Sequence, residues 1–263
     1  MHAFDLVVPD TLDEALALLD EADAQPLAGG QTLIPTLKAR LAAPSRLVSL
    51  RGITALRGID HDGDTLTVGA MTTHATVARE ARAAFPALAA LAGNIGDPMV
   101  RNRGTIGGSL ANNDPSACYP SAVLATGATV VTDRRDIAAD DFFQGMFSTA
   151  LEEGEVIRQV RFPIPVAAHY QKFPQPASRF ALTGVFVARY ADGVRVAATG
   201  ASEDGVFRWR EAEAALSDTF AAGTVEALEP PSGPMIADMH GSAEYRAHLV
   251  RVLTARAAAM LER

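Results

Sequence analysis

Two glycine pairs are the residues through which this chain could do chemistry. Gly29-Gly30 runs straight into Gln31 and Thr32, and Gly107-Gly108 runs into Ser109, with Thr105 just upstream. Glycine reaches φ > 0 without strain and lacks the Cβ that keeps a ligand off the main chain. Successive N–H groups in such a turn form a concave anion site. Two turns of this kind, far apart in sequence, can hold a diphosphate between them. Neither is a common nucleotide motif. No lysine follows either pair, as a Walker loop requires, and Gly104-Thr-Ile-Gly-Gly108 lacks the Gly-x-Gly-x-x-Gly spacing. Either loop alone reads as an ordinary glycine turn. The pair, flanked by Thr32, Thr105 and Ser109, reads as a ligand site. If Gly108 takes φ > 0, alanine there adds roughly 1–2 kcal/mol of strain.

Acid–base machinery is nearly absent. There is no Gly-x-Ser-x-Gly elbow and no His-Glu-x-x-His. Asp136, Asp140, Asp141, Glu152, Glu153 and Glu155 read as solvated charges near element ends, so no catalytic residue is expected. The six histidines show no zinc-ligand spacing, and no metal site is expected. The single cysteine, Cys118, excludes a disulfide within the chain and a Cys₄ iron–sulfur cluster. Two phosphate-cradling turns without such machinery fit a carrier whose cofactor supplies the chemistry. One phosphate at a helix N-terminus gains roughly 0.3–2 kcal/mol, and micromolar affinity needs about 8 kcal/mol. The remainder must come from burying the rings of the ligand.

Composition agrees with a globular binding protein. Hydrophobic residues are 48% and charged residues 21% of the chain, and the formal net charge is −8 with no Lys/Arg cluster, which argues against a nucleic-acid surface. No basic region precedes an apolar run at the N-terminus, and no apolar stretch is long enough to span a bilayer. The expected location is the cytoplasm.

Three units must position the two turns. Residues 1–55 read as a small α/β unit, with a strand at Phe4–Val8 and a helix over 12–21 capped by Thr11. A short strand at Pro26–Ala28 enters the first glycine turn. A helix over 32–41 follows, its dipole aimed at any phosphate in the turn. Residues 56–165 read as a second unit. It begins with a hairpin around His61-Asp-Gly-Asp64. Thr72 or Thr73 caps a helix, and another covers 86–92. Gly93–Asp114 reads as a long functional loop. A helix over 120–125 and strands at 128–132 and 156–162 complete the unit. Pro163–Pro176 reads as a linker. Residues 166–263 read as a third unit, with a hairpin at Asp192-Gly193 and a long amphipathic helix over 245–261.

The stretches Leu27-Ala-Gly-Gly-Gln-Thr-Leu-Ile-Pro35 and Arg103-Gly-Thr-Ile-Gly-Gly-Ser109 resemble the two FAD-binding loops of the flavoprotein (medium) subunits of molybdenum hydroxylases. That group includes carbon monoxide dehydrogenase and the xanthine dehydrogenase flavin domain. The resemblance covers nearly the whole chain, and the second motif is the more specific. It implies an α+β fold, with a two-subdomain FAD-binding fold of the vanillyl-alcohol oxidase/molybdopterin dehydrogenase type followed by a C-terminal α+β domain. The implied cofactor is non-covalent FAD. Its diphosphate and ribityl chain would be held by Leu27, Ala28, Gly29, Gly30, Gln31, Thr32, Leu33 and Ile34, and by Thr105, Ile106, Gly107, Gly108 and Ser109. Ile95 and Ile157 match apolar flavin-site positions. Lys172 lies near a family lysine, and Gln175 competes for that place. Arg101 and Arg103 approach phosphate, a partner or solvent. Tyr245 packs near the flavin or at a domain junction.

One departure concerns the segment after the second loop. The family pattern is Asp-Pro-x-x-Asp/Glu, and here it is Asp114-Pro-Ser-Ala-Cys118. A thiol is a weak acceptor, so either Asn113 substitutes for the missing carboxylate or FAD is held less tightly. The resemblance implies a large molybdopterin subunit and a small [2Fe-2S] subunit as partners, with electrons passing through FAD to an external acceptor. Two alternatives remain at this point. One is a stand-alone FAD-dependent oxidoreductase of the same fold, and the other is a nucleotide-binding chain that has lost FAD.

Overall fold

The computed structural model describes residues 1–262; Arg263, the last residue of the expected third unit, lies outside them. The chain opens with β1 (Asp5–Val7), α1 (Leu12–Leu19), β2 (Ala24–Leu27), α2 (Leu33–Lys38) and β3 (Arg46–Ser49). Thr11 caps α1 through a hydrogen bond from the Glu14 amide to its Oγ1, at 3.2 Å. The three strands form a parallel sheet in the order β1-β3-β2. Ala15 and Leu19 of α1 pack on Val48, Leu50, Ile53 and Leu56 to make a small core. The apolar side chains recur on one face of α1, as the helical period requires.

Next come β4 (Ile59–Asp62), β5 (Thr65–Gly69), α3 (His74–Glu80), α4 (Pro86–Gly93), α5 (Pro98–Arg103), α6 (Ile106–Asn112) and α7 (Tyr119–Thr126). They are followed by β6 (Thr129–Thr132), β7 (Asp136–Ala138), α8 (Ala139–Phe142), β8 (Phe143–Gly145), β9 (Ser148–Thr149) and β10 (Ile157–Pro163). An antiparallel sheet runs in the order β4-β5-β10-β6-β7. The chain ends with β11 (Ala167–Pro174), β12 (Ala181–Tyr190), β13 (Gly193–Ser202), β14 (Gly205–Arg208), α9 (Arg210–Asp218), α10 (Ala222–Glu226) and α11 (Ala243–Leu261). Strands β11 to β14 form a four-stranded antiparallel sheet in sequence order.

That last sheet is buried on both faces. Val185, Val187, Val194 and Val196 point toward Leu216 of α9 and Val250 and Leu253 of α11. The alternate residues Phe186, Ala188 and Ala197 join the core of the second unit, with Leu88, Tyr119, Val160 and Phe162. A strand covered on both sides carries a continuous apolar run rather than an alternating one, which is the character of Ala181–Ala188. Helix α7, buried along all eight residues, lies in this shared core.

Two expectations are corrected. Gly93–Asp114 is not a structureless loop, because α5 and α6 occupy most of it. Asp97 caps α5 through the Val100 amide at 2.9 Å, and Pro98 takes the first helical position. Helices of six and seven residues are too short to show an apolar period. Pro163–Pro176 is not a linker either, because β11 pairs with β12 along most of that length. No helix among the described residues is long and apolar enough to cross a membrane.

Candidate functional site

A cleft of about 450 Å³ opens where the turns of the first sheet meet α6, the segment between α6 and α7, and the strands β10 and β11. The two glycine turns face one another across it, and they do different work. The first turn leaves β2 at Ala28 and enters α2 at Leu33. Gly30 has φ +72°, the left-handed region that favours glycine. A Cβ on Gly29 would overlap the carbonyl oxygen of Arg103 and lie 2.8 Å from Gly104 Cα, so the first turn sits directly on the end of α5. Among the described residues, the amides of Gly29, Gly30, Gln31 and Thr32 have no acceptor. Four successive donors in a turn are free there to meet an anion. Helix α2 ends at Lys38, and Thr32 makes no side-chain cap bond. The turn amides therefore carry this site more than a helix dipole does.

The second glycine pair is not a separate turn but the opening of α6, and its donors are committed. Ile106 donates to Thr72 O (3.1 Å), Gly107 to Ala70 O (2.8 Å) and Ser109 to Thr105 O (3.0 Å). The Gly108 amide is capped by Thr105 Oγ1 at 3.2 Å. These glycines are here for close packing. A Cβ on Gly107 would lie 2.6 Å from Ala70 Cβ, and one on Gly108 would lie 3.3 Å from Ala28 Cβ. Gly108 sits inside α6 and not at φ > 0, so the strain expected of an alanine there has no basis.

Most of the residues singled out from the sequence line the cleft: Ala28, Gly29, Gly30, Gln31, Thr32 and Leu33 on one side, Thr105, Gly107, Gly108 and Ser109 on the other, with Ile95, Cys118, Ile157 and Lys172. Leu27, Ile34 and Ile106 do not. Leu27 and Ile34 pack beneath Gly30, where a Cβ would meet Ile34 Cγ1 at 3.0 Å and Leu27 Cδ1 at 3.4 Å. Ile106 is wholly buried in the core. An apolar residue next to a ligand-binding glycine is pulled inward by the core it adjoins.

Lys172 Nζ donates to Asn94 O at 2.9 Å and lies 3.5 Å from Cys118 Sγ. The Tyr170 hydroxyl beside Cys118 makes no hydrogen bond. Burial, and secondarily the Cys118 thiol, push its pKa well above the usual value. Asn113 does not replace the missing carboxylate at 118. It is buried at the left-handed C-cap of α6 and donates to Gly145 O (2.7 Å) and Ser148 O (2.8 Å). Asp114 places a carboxylate at the cleft, held by the Ser116 amide at 2.8 Å. Arg101 is tied to Ile95 O and Gly96 O at 3.0 and 2.9 Å. Tyr245 packs edge-on against Phe173, with ring centroids 6.3 Å apart.

Among the lining residues that the sequence did not assign to the site are His74, Glu155, Arg179 and Phe180. His74 is buried against Tyr119, with ring centroids 5.3 Å apart, and its Nδ1 has no partner. Burial, then the nearby Arg101 charge, lower its pKa to about 4. It is neutral near pH 7. Glu155 is not a solvated charge. Burial raises its pKa, but bonds from Arg135, the Glu152 amide and Thr132 outweigh that and hold it at about 2. Arg179, at φ +62°, and the exposed Phe180 reach the cleft from the turn between β11 and β12. None of the four stands in a recognisable motif, and only the fold brings them together.

Comparison with known proteins follows the same line. Residues 2–165 match the family described as the FAD binding domain in molybdopterin dehydrogenase. The chain is 35% identical to the carbon monoxide dehydrogenase medium chain of Afipia carboxidovorans, covering 97% of this chain and 95% of that one. It is 35% identical to the nicotine 6-hydroxylase medium subunit of Paenarthrobacter nicotinovorans, over 94% of this chain and 93% of the relative. Quinoline 2-oxidoreductase from Pseudomonas putida 86 superposes with a TM-score of 0.87 at 32% identity, covering 98% of this chain and 96% of that one. With its α+β fold and its open donor turn over a glycine-faced cleft, the chain belongs to the FAD-binding medium subunits of the molybdenum hydroxylase family, and is the flavin-carrying subunit of an oxidoreductase.

Proposed function

We propose that this chain holds FAD in the cleft described above, takes electrons from [2Fe-2S] centres of a small partner subunit and passes them to an external acceptor. Substrate oxidation takes place at the molybdopterin of a large partner subunit. The observation that carries the reading is the row of four uncommitted amides at Gly29–Thr32, facing a cleft whose other wall is glycine. FAD supplies the redox chemistry when bound, because its ring exchanges both single electrons and hydride equivalents.

The residues of the chain bind and orient. Gly29, Gly30, Gln31 and Thr32 offer amides to the diphosphate. Gly107 and Gly108 let that wall approach closely, and the Ser109 hydroxyl borders it. Ile95, Ile157 and Val156 supply apolar area for the ring system. The chain divides into units 1–55, 56–165 and 166–263 in this reading, and the assembly resides in the cytoplasm. A stand-alone flavoenzyme is disfavoured. Such an enzyme needs an acid or base at the flavin, and two candidates in the cleft, His74 and Glu155, are held at about 4 and about 2 and do not serve near pH 7. A chain that has lost FAD would have no use for an open donor turn.

The test is the visible spectrum of the purified chain, alone and co-expressed with its partner subunits, after FAD addition and desalting. Flavin bands that survive desalting are expected. A co-expressed complex that retains no FAD would overturn the reading.

A further inference from the structure

One wall of the cleft is the segment after α6, from which Asp114, Ser116, Ala117 and Cys118 face the cavity. It contains no helix or strand, and its internal bonds are few. The Ser116 amide reaches Asp114 Oδ1 at 2.8 Å and the Ala117 amide reaches Asp114 O at 2.9 Å. The carbonyls that point away from the cleft are held by the third unit. Thr199 Oγ1, fully buried on β13, lies 2.7 Å from Pro115 O and 2.8 Å from Ala117 O. A hydroxyl carries one proton, so the two carbonyls share it. The Gly200 amide adds a second donor to Pro115 O, at 2.7 Å.

Gly200 can do this because it has left the ladder. Its φ is +78°, and a Cβ there would lie 2.6 Å from Leu182 O and 2.7 Å from Ala181 O. The pairing of β13 with β14 changes register across the same residues. Arg246 of α11 closes the far side. Its Nη1 donates to Gly200 O (2.6 Å) and Leu182 O (2.7 Å), and its Nη2 to Asp238 Oδ2 (2.7 Å). A continuous path of short hydrogen bonds thus runs from the last helix, through a bulged peptide, to the wall of the cleft.

We propose that Thr199 and Arg246 are positioning residues for the flavin nucleotide. They set the Asp114–Cys118 wall without touching the cavity, since neither lines it. Both lie beyond residues 2–165, the extent of the FAD-binding family match. The inference rests on the reading of the cleft as an FAD site. It makes the third unit a working part of that site and not an appendage to it.

The test compares Thr199→Val, which keeps the shape and removes the donor, with Thr199→Ser, which keeps the donor. Two quantities are read on the full chain: FAD affinity by flavin fluorescence titration, and amide exchange across 114–118 in the FAD-free protein. Thr199→Val is expected to weaken FAD binding about tenfold and to speed exchange at Ser116 and Ala117. Thr199→Ser is expected to restore both. If Thr199→Val does not fold, Arg246→Lys decides by the same two readouts, since lysine cannot fork across both carbonyls and Asp238. A folded variant with a lower Tm but wild-type affinity and exchange would overturn this positioning role. A wild-type chain that binds no FAD, alone or co-expressed with its partner subunits, would instead sink the reading of the cleft.

Discussion

Gly29 and Gly108 look equivalent as members of two Gly-Gly pairs, and their surroundings make them unequal. A Cβ on Gly29 has backbone on the other side, at Arg103 and Gly104, and backbone cannot swing away. A Cβ on Gly108 meets Thr105 Oγ1 at 3.0 Å and Ala28 Cβ at 3.3 Å, both side-chain atoms, at a helical position where alanine gains about 1 kcal/mol over glycine. Gly29→Ala is therefore expected to weaken FAD binding by more than about tenfold, and Gly108→Ala by about threefold or less. Fluorescence titration of both variants checks the order. His74 sets a second expectation. Its folded pKa of about 4 lies below the ordinary 6.5. The unfolded chain takes up the proton first, so stability is full above pH 6.5 and declines as pH falls toward 4. A Tm profile over pH 4–7 should fall on the acid side, and His74→Gln should flatten that fall.

At the scale of elements, α6 is the piece that forms the second wall, and Gly107 is what lets it dock. Gly107→Ala pushes α6 away from Ala70 and should cost about 1–3 kcal/mol, the usual penalty of overpacking. A thermal melt showing no loss would mean that α6 stands farther from the β5 turn than Ala70 allows. Elements whose cues are local could be read in advance. Thr11 and Thr73 cap α1 and α3, Gly63 turns the β4–β5 hairpin, and Gly193 turns β12 into β13. Elements made by tertiary contact could not. Helices α5 and α6 are too short for an apolar period, and β11 reads as a linker because Pro163 and Pro165 precede it and Pro174 ends it. The same division runs through the site. The glycine turns were visible as residue types, whereas the commitment of the second turn's amides depends on Thr72 and Ala70, some 35 residues upstream. His74, Glu155, Arg179 and Phe180 are cleft residues only because three sheets meet there.

At the scale of the molecule, the second and third units share one core. Tyr170, Phe186, Ala197 and Val206 pack with Phe85, Tyr119 and Phe162. Phe85 stands edge-on to both Phe162 and Phe186, at 6.3 and 6.1 Å. A fragment of residues 1–165 keeps both glycine turns but bares that core and loses Lys172, Arg179 and Phe180 from the cleft. It should aggregate or fail to retain FAD, and size-exclusion chromatography with a flavin spectrum decides the matter. A stable, yellow fragment would show that the third unit is dispensable. The shared core also has a consequence in time. A chain leaving the ribosome presents both glycine turns early, but their surroundings lack a wall until residues as late as Val206 have emerged. Cofactor loading is therefore a late event in synthesis at the earliest, and a cell that makes this protein must keep an apolar, half-built second unit from sticking to its neighbours in the interval.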